Sequence, residues 1–256
     1  MIGRVLWGLA IPLALISMHS WIAERGMNYP WGPSAWIPGL TALGSPSARY
    51  AAMAMICALT VAWVKGYRRQ LAAIAAFALL LFYAHLKSTT AAHQTNEGRS
   101  DMLAGATLLA WIVGSFQSGT DEERDQLGID MAAGVVAAAY LWAGVMKVWA
   151  LGPLWAMHSG LDLLIVERGV GASGPLASLR MTVGTTPVLG GILGSIALLI
   201  ELAGPLFMIR RYRLRFAAAA ICMHVGIGVL MGYYYISFWV ILLGIAILSN
   251  EAEVAP

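Results

Sequence analysis

Charge is what this sequence has least of. Lysine, arginine, aspartate and glutamate make up 11% of its 256 residues, against roughly 25% in an ordinary soluble domain. Such a chain cannot clothe a water-facing surface. Hydrophobic residues are 59% of the total and the mean hydropathy is +0.73. Apolar surface on that scale is at rest only in lipid, so the lipid bilayer is the first partner the sequence implies. The 16 basic and 13 acidic residues leave a net charge of +3. The basic residues sit in short breaks between apolar runs and form no stripe, which speaks against nucleic acid. Cysteine is nearly absent. Cys57 and Cys222 both fall inside apolar runs and read as packed small hydrophobes, not as a disulfide or metal pair. Phosphate-cradling glycine loops, dinucleotide fingerprints and nucleophile elbows are missing. No histidine spacing supports a metal site, so none is expected.

What is present is a series of long apolar runs. A bilayer core needs about 20 apolar residues in helical form, and only helices and closed barrels satisfy the backbone there. No two-residue alternation appears, so the fold class is all-α: an integral membrane protein of about eight transmembrane helices in one bundle, forming a single domain over 1–256. The expected spans are 5–22, 49–66, 70–87, 102–118, 129–149, 187–209, 214–233 and 235–249. The first run, led by Arg4, reads as a retained helix and not a cleaved signal, because no small-residue cleavage site follows it.

Basic residues set the orientation. Lys65, Arg68 and Arg69 fall between the second and third spans, and Arg210, Arg211, Arg213 and Arg215 between the sixth and seventh. Four spans separate the clusters, so both lie on the cytoplasmic side together. Both termini are then cytoplasmic, in the plasma (inner) membrane. The acidic stretch Asp121, Glu122, Glu123 and Asp125 reads as part of an inner loop. The outer side receives two longer connections. Ala23–Ala48 is rich in Trp, Tyr and Pro and suits a lid at the interface. Within Ala150–Thr186, apolar residues at 154, 157, 161, 164 and 165 mark one face of a short amphipathic outer helix. Gly169–Pro175 reads as loop.

Ionisable residues in spans are costly and usually face the protein interior. His19, His85 and Lys87 fall at outer span ends and suit snorkelling to the interface. His93 lies in an outer loop. His158 and Asp162, four residues apart, share a face of the amphipathic helix. Lys147 closes the fifth span on the outer side. Glu201 and His224 sit mid-span in consecutive spans, which brings a Glu201–His224 contact within reach. An isolated carboxylate at that depth is neutralised or paired.

Two motifs carry a family resemblance. One is Tyr140-Leu-Trp-Ala-Gly-Val-Met-Lys147, followed by Trp155. The other is Glu201-Leu-Ala-Gly-Pro205, then the basic turn Arg210–Arg215, then His224 with Gly226, Gly228 and Phe238. In order and spacing they resemble the horizontally transferred transmembrane domain (HTTM) family, the membrane part of vitamin K-dependent γ-glutamyl carboxylase and its bacterial relatives. The likeness covers about residues 130–249. It implies a membrane enzyme with a quinone or hydroquinone cofactor, in which Lys147 is an outward-facing base, His224 orients a ligand oxygen or relays a proton, and Glu201 assists. Trp155, Tyr140, His158, Asp162 and His93 would line the ligand site. A lysine is a base only in its neutral form, which an apolar, low-dielectric surrounding favours. The sequence departs from the family in two ways. It has no large outer domain to hold a protein substrate, and where the family places a second histidine it reads Asn96-Glu-Gly-Arg-Ser-Asp101, with His93 the nearest. A small peptide or a soluble outer-side partner therefore fits better than a full carboxylase substrate. Two other readings stay open: a DoxX-like protein, a class that also carries an Ala-Gly-x-x-Lys-like motif and passes electrons between quinone and outer thiols, and a non-enzymatic assembly or immunity subunit or small transporter.

Overall fold

The computed structural model describes residues 1–25, 45–90, 97–152, 154–158, 160–233 and 236–254; the side chains of 20–25, 87–90, 97–101, 158, 187 and 251–254 lie outside that description. The expected lid within 23–48 falls mostly outside it, as does His93. Every regular element among the described residues is helical: α1 (Ile2–Arg25), α2 (Pro46–Lys65), α3 (Arg69–Thr90), α4 (Glu97–Ser115), α5 (Asp121–Leu151), α6 (Trp155–His158), α7 (Leu161–Val170), α8 (Pro175–Gly184), α9 (Pro187–Leu202), α10 (Arg210–Met231) and α11 (Ile236–Val254). A short 3-10 turn, Gly204–Met208, links α9 to α10.

Five described helices are long and apolar enough to cross a membrane: α1, α2, α3, α5 and α10. Their ends carry local signals. Ser45 accepts a hydrogen bond from the backbone N–H of Ala48, Pro46 opens α2, and Gly66 closes it at φ +83°. Thr120 and Glu123 form a reciprocal box at the start of α5: the Thr120 N–H donates to Glu123 Oε2 at 2.8 Å, and the Glu123 N–H donates to Thr120 Oγ1 at 3.3 Å. The acidic stretch is thus the first turn of α5 and not a loop, because three carboxylates suit the positive end of a helix dipole. The basic turn Arg210–Arg215 is likewise helical, forming the start of α10.

Two sequence expectations change more deeply. The single outer amphipathic helix is replaced by two short helices, α6 and α7, and α8 follows beyond it. Gly160 takes φ +66° ahead of α7, a left-handed residue that interrupts the helix and puts His158 on α6 and Asp162 on α7. The shared face predicted for that pair is lost, and the stretch read as a loop from Gly169 is helical to Val170. The sixth span, read as 187–209, ends as an α-helix at Leu202. Pro205 lacks the N–H that would bond the Glu201 carbonyl four residues back, so the chain turns there. Glu201 therefore sits in the last turn of α9, not in mid-span. The cysteines also differ from expectation: Cys57 and Cys222 are free and exposed on helix surfaces.

The chain gathers into two compact units, Met1–Val135 with Ile236–Pro256, and Val136–Tyr235. In the first, α1 packs along α11 through glycine. A Cβ on Gly3 would lie 2.7 Å from the Gly244 carbonyl oxygen and from the Leu248 nitrogen, so only small residues permit this approach. The core of that unit holds three tryptophans in edge-to-face contact, with Trp7 5.2 Å from Trp63 and Trp63 5.5 Å from Trp111. In the second unit, Arg213 is fully buried and donates through Nε to the Phe207 carbonyl at 2.9 Å, tying the 3-10 turn to α10.

Candidate functional site

Within the second unit, the two motif segments meet through their glycines. A Cβ on Gly144 of α5 would lie 2.9 and 3.0 Å from Leu202 side-chain atoms and 3.1 Å from the Leu202 nitrogen. A Cβ on Gly204 would lie 2.6 Å from the Ala137 carbonyl oxygen and 2.9 Å from the Leu141 nitrogen. Each motif thus supplies the glycine that lets the other's backbone come close. The consequence is chemical: with these backbones in contact, the last residue of the first motif reaches the first residue of the second.

Lys147 Nζ and Glu201 Oε1 form an ion pair, with side chains 27% and 10% exposed. The Lys147 ammonium also lies 4.7 Å from the centre of the Trp155 ring, a cation–π contact. Both neighbours stabilise positive charge on Nζ. Glu201 Oε2 is buried and has no hydrogen-bond partner among the described residues. A buried polar atom of that kind loses its hydration without replacement.

About two turns earlier on α5, Tyr140 Oη and His224 Nε2 share a 2.7 Å hydrogen bond, and the two rings sit edge to face at 5.9 Å. Phe216 packs on Tyr140 at 5.2 Å and on Phe207 at 5.6 Å, which fixes the phenol between aromatic neighbours. Tyr140 and His224 are both buried. The two pairs are in electrostatic reach of each other, Glu201 acting on the Tyr140 phenol and Lys147 on the His224 imidazole.

Five of the eight residues singled out from sequence therefore come together: Lys147, Glu201, His224, Tyr140 and Trp155. Their pairing differs from what spacing alone suggests, since Glu201 engages Lys147 and His224 engages Tyr140. Asp162 is placed on α7, its Cβ 3.6 Å from where a side chain on Gly190 would begin. His158 ends α6, with its side chain outside the described residues, as is His93 altogether. Of the residues read as snorkelling, His85 is exposed and His19 is half-buried against Tyr83, ring centres 4.7 Å apart.

A second polar group, in the first unit, escaped the sequence reading. Asp125 accepts hydrogen bonds from Arg4 and from Trp111 Nε1, the latter at 2.9 Å, and Arg69 Nη1 stands 3.6 Å away. Helical spacing on α5 carried a signal, because Asp125 follows the dipole-compensating first turn. Its arginine partners lie far along the chain and could not be paired with it by spacing. In comparisons with protein-family models, with curated proteins and with solved structures, nothing matches this chain.

Proposed function

We propose that this chain is an eight-span protein of the plasma (inner) membrane with both termini cytoplasmic. In this reading the Lys147–Glu201 and Tyr140–His224 pairs form the working site of an HTTM-like, carboxylase-like membrane enzyme that takes a quinone-type ligand, with Lys147 as its base. The eight spans are the five long helices, the shorter apolar stretches of α4 and α11, and α9, which is bent from α8 by 89°. The meeting of Arg4 and Arg69 with Asp125 supports the orientation, because the reading puts all three at the cytoplasmic end.

The observation that carries the site is Glu201 Oε2, a buried carboxylate oxygen beside Lys147 with no partner among the described residues. A hydroquinone hydroxyl is a donor of the matching kind, and Tyr140 with His224 offers a second donor–acceptor pair nearby. When bound, a hydroquinone would supply reducing equivalents and dissociable protons. Glu201 holds the proton that Lys147 gives up, Lys147 Nζ then accepts a proton from the reacting group, and Tyr140 and His224 keep ligand oxygens oriented. Trp155 holds Nζ against its ring face. A small peptide or a soluble partner on the outer side is the substrate class this reading implies.

A second reading rests on the same pairs. Each polar group bonds a group on another segment, which is how buried polar residues glue membrane helices together, and that suits a non-enzymatic assembly subunit or small transporter. Quinone binding to detergent-purified protein separates the two. The enzyme reading expects saturable binding, weakened about tenfold to a hundredfold in Lys147→Ala and His224→Ala by loss of one strong hydrogen bond, at equal folding. Absent binding, or binding indifferent to both changes, leaves the glue reading.

A further inference from the structure

Between α5 and α9 the chain of the second unit first touches the Lys147–Glu201 pair and then folds into a hairpin. α6 brings Trp155 against Lys147 Nζ. It seats on α9 through glycine, since a Cβ on Gly194 would lie 2.8 Å from Ala156 Cβ. α7 and α8 then pack on each other through two more glycines. A Cβ on Gly169 would lie 3.2 Å from Arg180 Cβ, and one on Gly184 would lie 2.9 Å from the Val166 nitrogen. The hairpin is thus closely packed on itself.

Its hold on the rest of the unit is of another kind. The buried residues of α7 are Ile165 and Gly169, and those of α8 are Arg180, Val183 and Gly184. Leu163, Val170 and Leu179 are exposed. Few apolar side chains therefore fasten the hairpin, and a buried arginine stands among them. Arg180 is 8% exposed; its Nε donates to the Val229 carbonyl at 2.8 Å and its Nη1 to the Arg168 carbonyl at 3.2 Å. These carbonyls belong to the last turns of α10 and α7, where the helix dipole favours a cation. Arg168 Nη2 donates to Tyr233 Oη at 3.1 Å. Both arginines of the hairpin thus grip the same end of α10. Left-handed glycines interrupt the segment where it would bend: Gly152 before α6 at φ +74°, Gly160 before α7 at +66° and Gly174 before α8 at +73°. Each has nothing within 4 Å of a built Cβ. A self-packed element with glycine joints, few inward apolar groups and polar pins belongs to the low-stability end of a fold, from which lids are drawn.

We propose that α6–α8 form a lid on the Lys147–Glu201 pair and that Arg180 is the pin that holds it shut. This regulation rests on that pair being the working site, but not on its ligand being a quinone. In the closed state Trp155 lies against Nζ. When Arg180 leaves the end of α10, the hairpin swings about its glycine joints and draws Trp155 off the amine. Arg180 acts through Trp155 and is a positioning residue.

Two readouts on the detergent-purified full chain test the lid. Reductive methylation with formaldehyde and cyanoborohydride, followed by peptide mass spectrometry, compares Lys147 with the exposed Lys65 in the same molecule. Amide exchange follows α7 and α8 beside α9 and α10. In wild type the α7 and α8 amides should exchange in step with each other and faster than those of α9. Arg180→Met keeps an unbranched side chain and removes both hydrogen bonds. Lys147 methylation should then rise about tenfold relative to Lys65, the worth of one hydrogen bond from a charged group. Exchange in α7 and α8 should rise with it, and α9 and α10 should not change. Arg180→Lys keeps the charge and should fall between. Arg211→Gln, at the opposite end of α10, should behave as wild type. The proposal is overturned if wild-type α7 and α8 are as protected as α9. It is also overturned if Arg180→Met leaves Lys147 methylation unchanged, or if it fails to fold or loosens α9 and α10 as much as the hairpin, as loss of a purely structural residue would. Faster Lys147 methylation in a protein that binds no quinone supports the lid and removes the quinone.

Discussion

Adding one methyl group at Gly204 should unseat the candidate site from a distance. A Cβ there would lie 2.6 Å from the Ala137 oxygen, 2.9 Å from the Leu141 nitrogen and 3.0 Å from Tyr140 Cβ. Ordinary contacts begin at 3.4 Å, so the 3-10 turn and α5 must separate by about 0.8 Å, the difference between 3.4 and 2.6. Two of the three obstacles are backbone atoms of a long helix, which cannot swing aside as a side-chain tip does. Overpacking of this kind costs about 1–3 kcal/mol, and the backbone obstacles put Gly204→Ala near 3. Gly226 is the internal control. It lies within α10 with nothing inside 4 Å of its built Cβ, so Gly226→Ala should gain about 0.5–1 kcal/mol from helix propensity. At roughly 2–4 °C per kcal/mol for a chain of this size, Gly204→Ala should melt about 6–12 °C lower in a fixed detergent and Gly226→Ala slightly higher. Because Gly204 is three residues from Glu201, quinone binding should weaken as well. Equal melting of the two variants would refute the claim that glycine contact assembles the site.

The Lys147–Glu201 pair predicts a double-mutant pattern. Removing Lys147 leaves the buried Glu201 carboxylate alone and should cost about 3 kcal/mol, removing Glu201 should cost less because Lys147 is partly exposed, and Lys147→Met/Glu201→Leu should regain most of the loss. If the pair also works on a ligand, thermal stability returns in the double variant while quinone binding does not; return of both would favour the glue reading. The cysteines test the membrane reading directly. Cys57 lies midway along α2 and Cys222 midway along α10, and both face outward. In intact membranes a water-soluble maleimide should label neither, and after denaturation both; fast labelling of the native protein would contradict lipid-facing helices.

Much of the architecture was written in one dimension. Scarce charge and long apolar runs imply helices in lipid, because composition acts locally and needs no partner to be read. The same runs located most helix ends to within a few residues, and two short motifs marked five residues that do converge. What sequence order could not decide is which groups meet. Lys147 and Glu201 are separated by 54 positions, and their contact depends on Gly144 and Gly204 allowing two backbones to touch. Asp125 and Arg4 are 121 positions apart and looked like an acidic loop and a leader charge until helix packing joined them. The break at Gly160, the turn at Pro205 and the outward aim of Cys57 and Cys222 belong to the same class. A hydropathy pattern records how apolar a residue is, but direction, depth and partner are set by close packing of helices far apart in sequence, and only the tertiary structure holds that information.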